Sequence, residues 1–119
     1  MSRRKPQCIL NVDSAMVNAA LVILGIRLAD AVEAFTARPG HHVRRDDQRF
    51  VTLRRRLTLG LRELVFRGRQ LSFPEIAELV GAPNHSTVVG RCQLARRLGL
   101  ITESELRTLR NGGAERATA

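Results

Sequence analysis

The sequence predicts an all-α domain, a small helical bundle containing a helix-turn-helix. Three observations lead there. Apolar residues recur every three or four positions over long stretches, the spacing of a single helix face. The helix formers Ala, Leu and Arg are frequent, whereas Trp and Tyr are absent and Phe occurs four times. Capping signals at 72–75 and 102–105, with a glycine stop between them, punctuate the chain as helices. No repeat, heptad array or sustained strand-period alternation competes with this pattern. At 119 residues the chain holds one domain with an arm and a tail, around a modest aliphatic core.

Residues 1–12 read as a flexible basic arm, 13–110 as the folded body and 111–119 as a disordered tail. Asp13 caps a first helix expected to reach about Ala37, with Met16, Ala20, Ile23, Arg27, Ala31 and Phe35 along it. Its middle is apolar nearly all round, which predicts burial. The run at 15–26 contains Asn18, is followed by Arg27 and is too short to span a bilayer, so no membrane insertion is expected. "RPG" at 38–40 stops this helix, and "HHVRR" at 41–45 forms a basic loop. Asp46 or Asp47 opens a second helix carrying the stripe Phe50, Leu53, Leu57, Leu61 and Leu64, with Arg54, Arg55, Arg56 and Arg62 off it. "RGRQ" at 67–70 ends it, Gly68 being the C-terminal stop.

The helix-turn-helix occupies 72–98. Ser72 and Glu75 make a capping box, Leu71 and Ile76 a hydrophobic staple, and Pro74 lies in the first turn. Gly81 breaks this helix after Val80, and Asn84 caps the next. There Val88, Cys92, Ala95 and Leu98 face the core. His85, Val89, Gln93 and Arg96 form the opposite stripe, flanked by Ser86, Gly90 and Arg97. Thr102 and Glu105, with Ile101 against Leu106, repeat the capping pattern before a last helix to Arg110.

Charge narrows the function. Twenty Lys+Arg oppose eleven Asp+Glu for a net +9, and the cations are clustered. Nine arginines lie between 44 and 69 against Asp46, Asp47 and Glu63, whereas 70–90 contains no cation at all. Such a surface attracts polyanions, and Arg favours bidentate contacts to phosphate and guanine. High-GC coding would inflate Arg everywhere and explains the clustering less well. Cys8 and Cys92 form no framework and read as reduced thiols of a cytosolic protein. His41 and His42 lack zinc-site spacing, and no Ser-His-Asp or paired-carboxylate arrangement stands out. No enzyme activity, cofactor or metal is therefore expected. The small polar residues at 84–87 have two readings: a helix cap with solvated neighbours, or a face entering the major groove, with Gly90 allowing close approach.

"LSFPEIAELVGAPNHSTVVGRC", 71–92, closely resembles the C-terminal DNA-binding domain of the bacterial replication initiator DnaA, a Trp-repressor-like helix-turn-helix. That family's signature reads approximately S-[LFY]-P-E-I, then G-G-R-D-H-[ST]-T-V, then a helix ending A-C-R-K-I. Ser72, Pro74, Glu75, Ile76, Gly81, His85, Ser86, Thr87, Val88 and Cys92 match it. A fainter likeness extends the resemblance over roughly 32–98. It implies recognition of a short asymmetric duplex box by a monomer. Asn84, His85, Ser86 and Thr87 are then the major-groove candidates, with Val89 and Gln93 on the same helix. Arg44 or Arg45 is the minor-groove candidate. Arg54, Arg55, Arg96 and the backbone around Ser72 and Pro74 are phosphate candidates, the last through helix-start amides.

Departures from the signature bear on the target site. Asn84 stands where the family has Asp, so a bidentate pair with adenine replaces acceptance from cytosine. Pro83 replaces Arg, and Gly90-Arg91 replaces His-Ala. No G-x-x-x-x-G-K-[ST] phosphate loop is present, so the chain reads as a stand-alone box reader without the ATPase module. The expected function is sequence-specific binding of double-stranded DNA, regulatory or replication-related, in a bacterial or phage cytoplasmic setting. The alternative is a basic interaction module for a protein partner, non-specific DNA or anionic lipid, with the N-terminal helix as a self-association face.

Overall fold

Ser14, one residue later than expected, caps the first helix. Its Oγ accepts from the Val17 amide at 3.3 Å, and α1 (Ala15–Leu24) follows. The computed structural model describes residues 7–37 and 48–112. The expected single helix to Ala37 is instead two. Gly25 adopts the left-handed conformation, and its N–H and that of Ile26 close onto Val22 and Leu21. The chain restarts as α2 (Leu28–Ala34) at 109° to α1. The bend lets Val17, Leu21 and Leu24 share one core with Ala31, Ala34 and Phe35. Asn18, the polar residue in this apolar run, donates to the carbonyls of Val12 and Ser14 at 2.8 and 2.9 Å. Among the described residues no single helix is long and apolar enough to cross a membrane; α1 and α2 pass that test only as a bent pair.

The described part of the expected arm, 7–12, is not loose chain. Gln7–Cys8 (β1) pairs antiparallel with Thr36–Ala37 (β2), and the Ile9 amide donates to Phe35 O. Leu10 is 4% exposed, and the Asn11 amide donates to Leu79 O. Burial of Leu10 and these backbone bonds hold 7–12 against the body, a non-local gain that local composition did not register.

At the centre lies α3 (Gln48–Glu63), which packs on α1 and α2. Leu57, Leu61 and Leu64 of its predicted stripe are fully buried, whereas Phe50 and Leu53 are half-buried. A Cβ on Gly60 would sit 2.8 Å from Leu24 Cδ1, so glycine here permits close helix contact. The helix ends at Glu63, and Gly68 is not its stop. Val65–Phe66 (β3) and Arg69–Gln70 (β4) form a hairpin instead. Both turn residues have positive φ, Arg67 at 52° and Gly68 at 74°, as a two-residue type I′ turn requires. A Val-Phe pair before an "RG" turn was the available signal; strands of two residues are too short to show alternation.

Three helices follow, α4 (Phe73–Val80), α5 (His85–Arg97) and α6 (Glu103–Arg110). Ser72 and Thr102 cap α4 and α6 with complete capping boxes through Glu75 and Glu105. The staple residues Leu71 and Ile76 are both buried. The architecture among the described residues is thus a bundle of six helices with two minimal antiparallel strand pairs, one a hairpin (β3–β4) and one non-local (β1–β2). The predicted loop at 38–45, the start signals at Asp46 and Asp47, and the segments 1–6 and 113–119 lie outside the described residues.

Candidate nucleic-acid interface

Four residues, 81–84, join α4 to α5. Gly81 has φ +66°, and a Cβ there would lie 2.6 Å from Ile9 Cβ and 2.8 Å from Ile9 O. The turn thus needs glycine twice over, for its left-handed conformation and for the N-terminal segment laid across it. Asn84 then opens α5, its Oδ1 accepting from the Thr87 amide at 3.0 Å and the Thr87 hydroxyl at 3.3 Å. That engagement revises the expected adenine pair. A bidentate contact needs the acceptor as well as the amide donor, and the acceptor is occupied by the cap. The Asn84 Nδ2 donors remain for an acceptor group.

The buried side of α5 is Val88, Cys92 and Ala95, as the spacing predicted. Leu98 departs from it: it lies beyond the helix as C-cap and is 54% exposed. The solvent face is rotated from the expected stripe. Ser86, Gly90, Gln93 and Arg97 are exposed along it, with His85 at its start, whereas Val89 and Thr87 are half-buried. Arg97, treated in the sequence only as a flank, thus joins the face. A helix-interior glycine costs about 1 kcal/mol against alanine. Outside its own helix backbone, no atom of the described residues comes within 4 Å of the position of a Cβ on Gly90, so no packing contact among them calls for glycine here.

Several predicted contacts are spent internally. Arg54 is 9% exposed and donates Nη1 to Ala34 O at 2.8 Å, fastening α3 to the end of α2. It is an anchor, withdrawn from the phosphate role expected of it. Arg96 is exposed but pairs through Nη2 with Glu63 Oε1 at 2.9 Å. Arg110 reaches the same carboxylate at 3.3 Å. Burial pushes Glu63 up, but the hydrogen bonds from Arg110 and Arg96 outweigh it and hold the carboxyl below its usual range. Arg56 bridges Leu24 O, Leu100 O and Glu105. Arg62 donates to Leu71 O and lies 4.4 Å over the Phe73 ring.

The α4 start is more closed than expected. The Ser72 amide donates to Glu75 Oε1 and the Glu75 amide to Ser72 Oγ, while Pro74 has no N–H. Arg69 pairs with Glu75 beside them. The amides on offer to a phosphate there reduce to that of Phe73. Arg55 is half-exposed and Arg97 exposed, both without a hydrogen bond or ion pair among the described residues. Arg44 and Arg45 lie outside the described residues.

The exposed face of α5 is polar, and nothing around it resembles a nucleophile or a metal site among the described residues. Both cysteines are free thiols, and Cys92 donates to Thr58 O while burial pushes it up to about 11, the opposite of an activated nucleophile. Among the described residues no three His, Cys, Asp or Glu side chains gather as a metal site. No known protein family, curated protein or solved structure matches the chain.

Proposed function

We propose that the protein binds double-stranded DNA sequence-specifically, with α5 as the helix that reads base edges in the major groove. One observation carries this reading. The exposed face of α5 presents unengaged polar groups on Ser86, Gln93 and Arg97 around Gly90, a glycine that has no packing reason among the described residues. A backbone left open in mid-helix suits close approach to another molecule, and its polar neighbours suit base edges and phosphates. The likeness of 71–92 to the DnaA box reader supports the same use of this helix. On this reading the protein acts on its site as a regulatory or replication-related reader.

Selection from a random duplex pool at near-physiological salt, followed by titration of the winner and a scramble, tests this. One asymmetric motif is expected. His85→Ala should lose ~1–3 kcal/mol at one base position. Gly90→Ala should stabilise the fold by roughly 0.5–1 kcal/mol while weakening the selected duplex. No enriched motif, or a Gly90→Ala variant that binds as the wild type does, would remove base reading by α5.

A further inference from the structure

Arg91 sits where α5 meets α3, on a flank of α5 one turn after Thr87. Its Nη1 is shut off from solvent and has no hydrogen-bond partner, alone among side-chain polar atoms of the described residues. The charged neighbours acting on it are Arg54 and Arg55, both cations, and no carboxylate pairs with it among the described residues. Burial, and then those two charges, push the guanidinium below its usual range, yet arginine stays protonated at neutral pH. A buried charged donor without a partner is a cost that a folded chain ordinarily avoids. Substitution by a hydrophobic residue would remove that cost, so its retention points to a ligand.

The ligand is an anion. A guanidinium offers a planar fork that matches two oxygens of a phosphate, and an oxyanion here would offset the charges of Arg91 and Arg55 together. Arg54 already donates to Ala34 O, whereas half-exposed Arg55 keeps its donors for an incoming group. Arg91 also departs from the resembled signature, which has Ala at this place, so the feature belongs to this chain.

We propose that Arg91, with Arg55 beside it, clamps one backbone phosphate of the duplex whose bases α5 reads. The inference rests on the DNA-binding reading above, and the test separates the two. Arg91→Met keeps the apolar stem and removes the charge. Without anion the variant is expected to melt several degrees above the wild type. Inorganic phosphate should raise the wild-type melting temperature and leave that of Arg91→Met unmoved. Affinity for selected and scrambled duplexes alike should fall about tenfold, with a salt slope smaller by about one. Arg91→Lys, which keeps the charge and loses the fork, should retain the slope.

A variant melting at or below the wild type, with an unchanged salt slope, overturns the clamp even if a preferred duplex exists. A phosphate response lost in Arg91→Met without any loss of duplex affinity assigns the site to free phosphate and overturns the duplex assignment. If the wild type prefers no duplex, base reading fails separately, while a reduced salt slope on any duplex still supports the clamp.

Discussion

The two ends of the α3–α5 contact carry similar numbers of arginines and treat them differently. Towards Glu63, Arg96 and Arg110 converge on one carboxylate, and Arg62 is tied to Leu71 O and stacked on Phe73. Around Arg54, no carboxylate joins Arg55 or Arg91 among the described residues, and one guanidinium nitrogen lies buried with no partner. The first end is scaffold, its charge largely neutralised within the fold. The second leaves Arg55 and Arg91 without a neutralising carboxylate among the described residues. Net charge by itself is therefore a poor footprint. What attracts a polyanion is the charge that the fold leaves uncompensated.

The largest expected effect lies between the two ends. Leu57 is fully buried on α3, and Leu57→Ala should destabilise by roughly 2–5 kcal/mol in denaturant unfolding. A variant that unfolds with the wild type would mean that α3 does not hold the two ends in one core.

Arg54→Ala comes next and tests the anchor. It leaves the Ala34 carbonyl without this donor and should cost about 1–3 kcal/mol of stability. Measured on protein that is still folded, its duplex salt slope should stay near wild type. A slope reduced by about one, with stability unchanged, would return Arg54 to the phosphate-binding set.

The smallest effect concerns the neutralised end and pH. The Glu63 carboxyl is held low, so its stabilisation is complete above the ordinary value of 4.5 and fades as pH falls through its folded value. Glu63→Gln should flatten the acid side of the stability–pH curve below about pH 4.5 and leave its shape between about pH 6 and 8 as it was. An acid limb as steep as that of the wild type would show that the Arg96 and Arg110 pairs do not stabilise this end.

Much of the candidate interface was legible because it is local. Ser72 with Glu75, Thr102 with Glu105 and Asn84 with Thr87 interact over three residues, so the letters alone located three helix starts. Most of the core sides of α3 and α5 followed from spacing. The misses have a common cause. Gly25 lay within an apolar run that continued the helical pattern past it, and the break became visible only where α1 and α2 fold together. The solvent face of α5 turned towards Arg97 because half-buried Val89 was drawn towards the body. Arg54 read as a surface cation and Arg96 as a phosphate ligand because the sequence does not show a carbonyl 20 residues away or a carboxylate 33 residues away.

By itself, the sequence determined the last three helices, α4, α5 and α6, their N-caps, the four-residue turn before α5 and the small polar letters at its start. These depend on backbone geometry and on partners within one turn. Tertiary structure decided which arginines remain available, how β1 and β2 meet across the chain, and that Arg91 lies half-buried beside like charges with its Nη1 shut off from solvent. Those outcomes depend on long-range packing and on the desolvation that follows from it, and no window of neighbouring residues contains either.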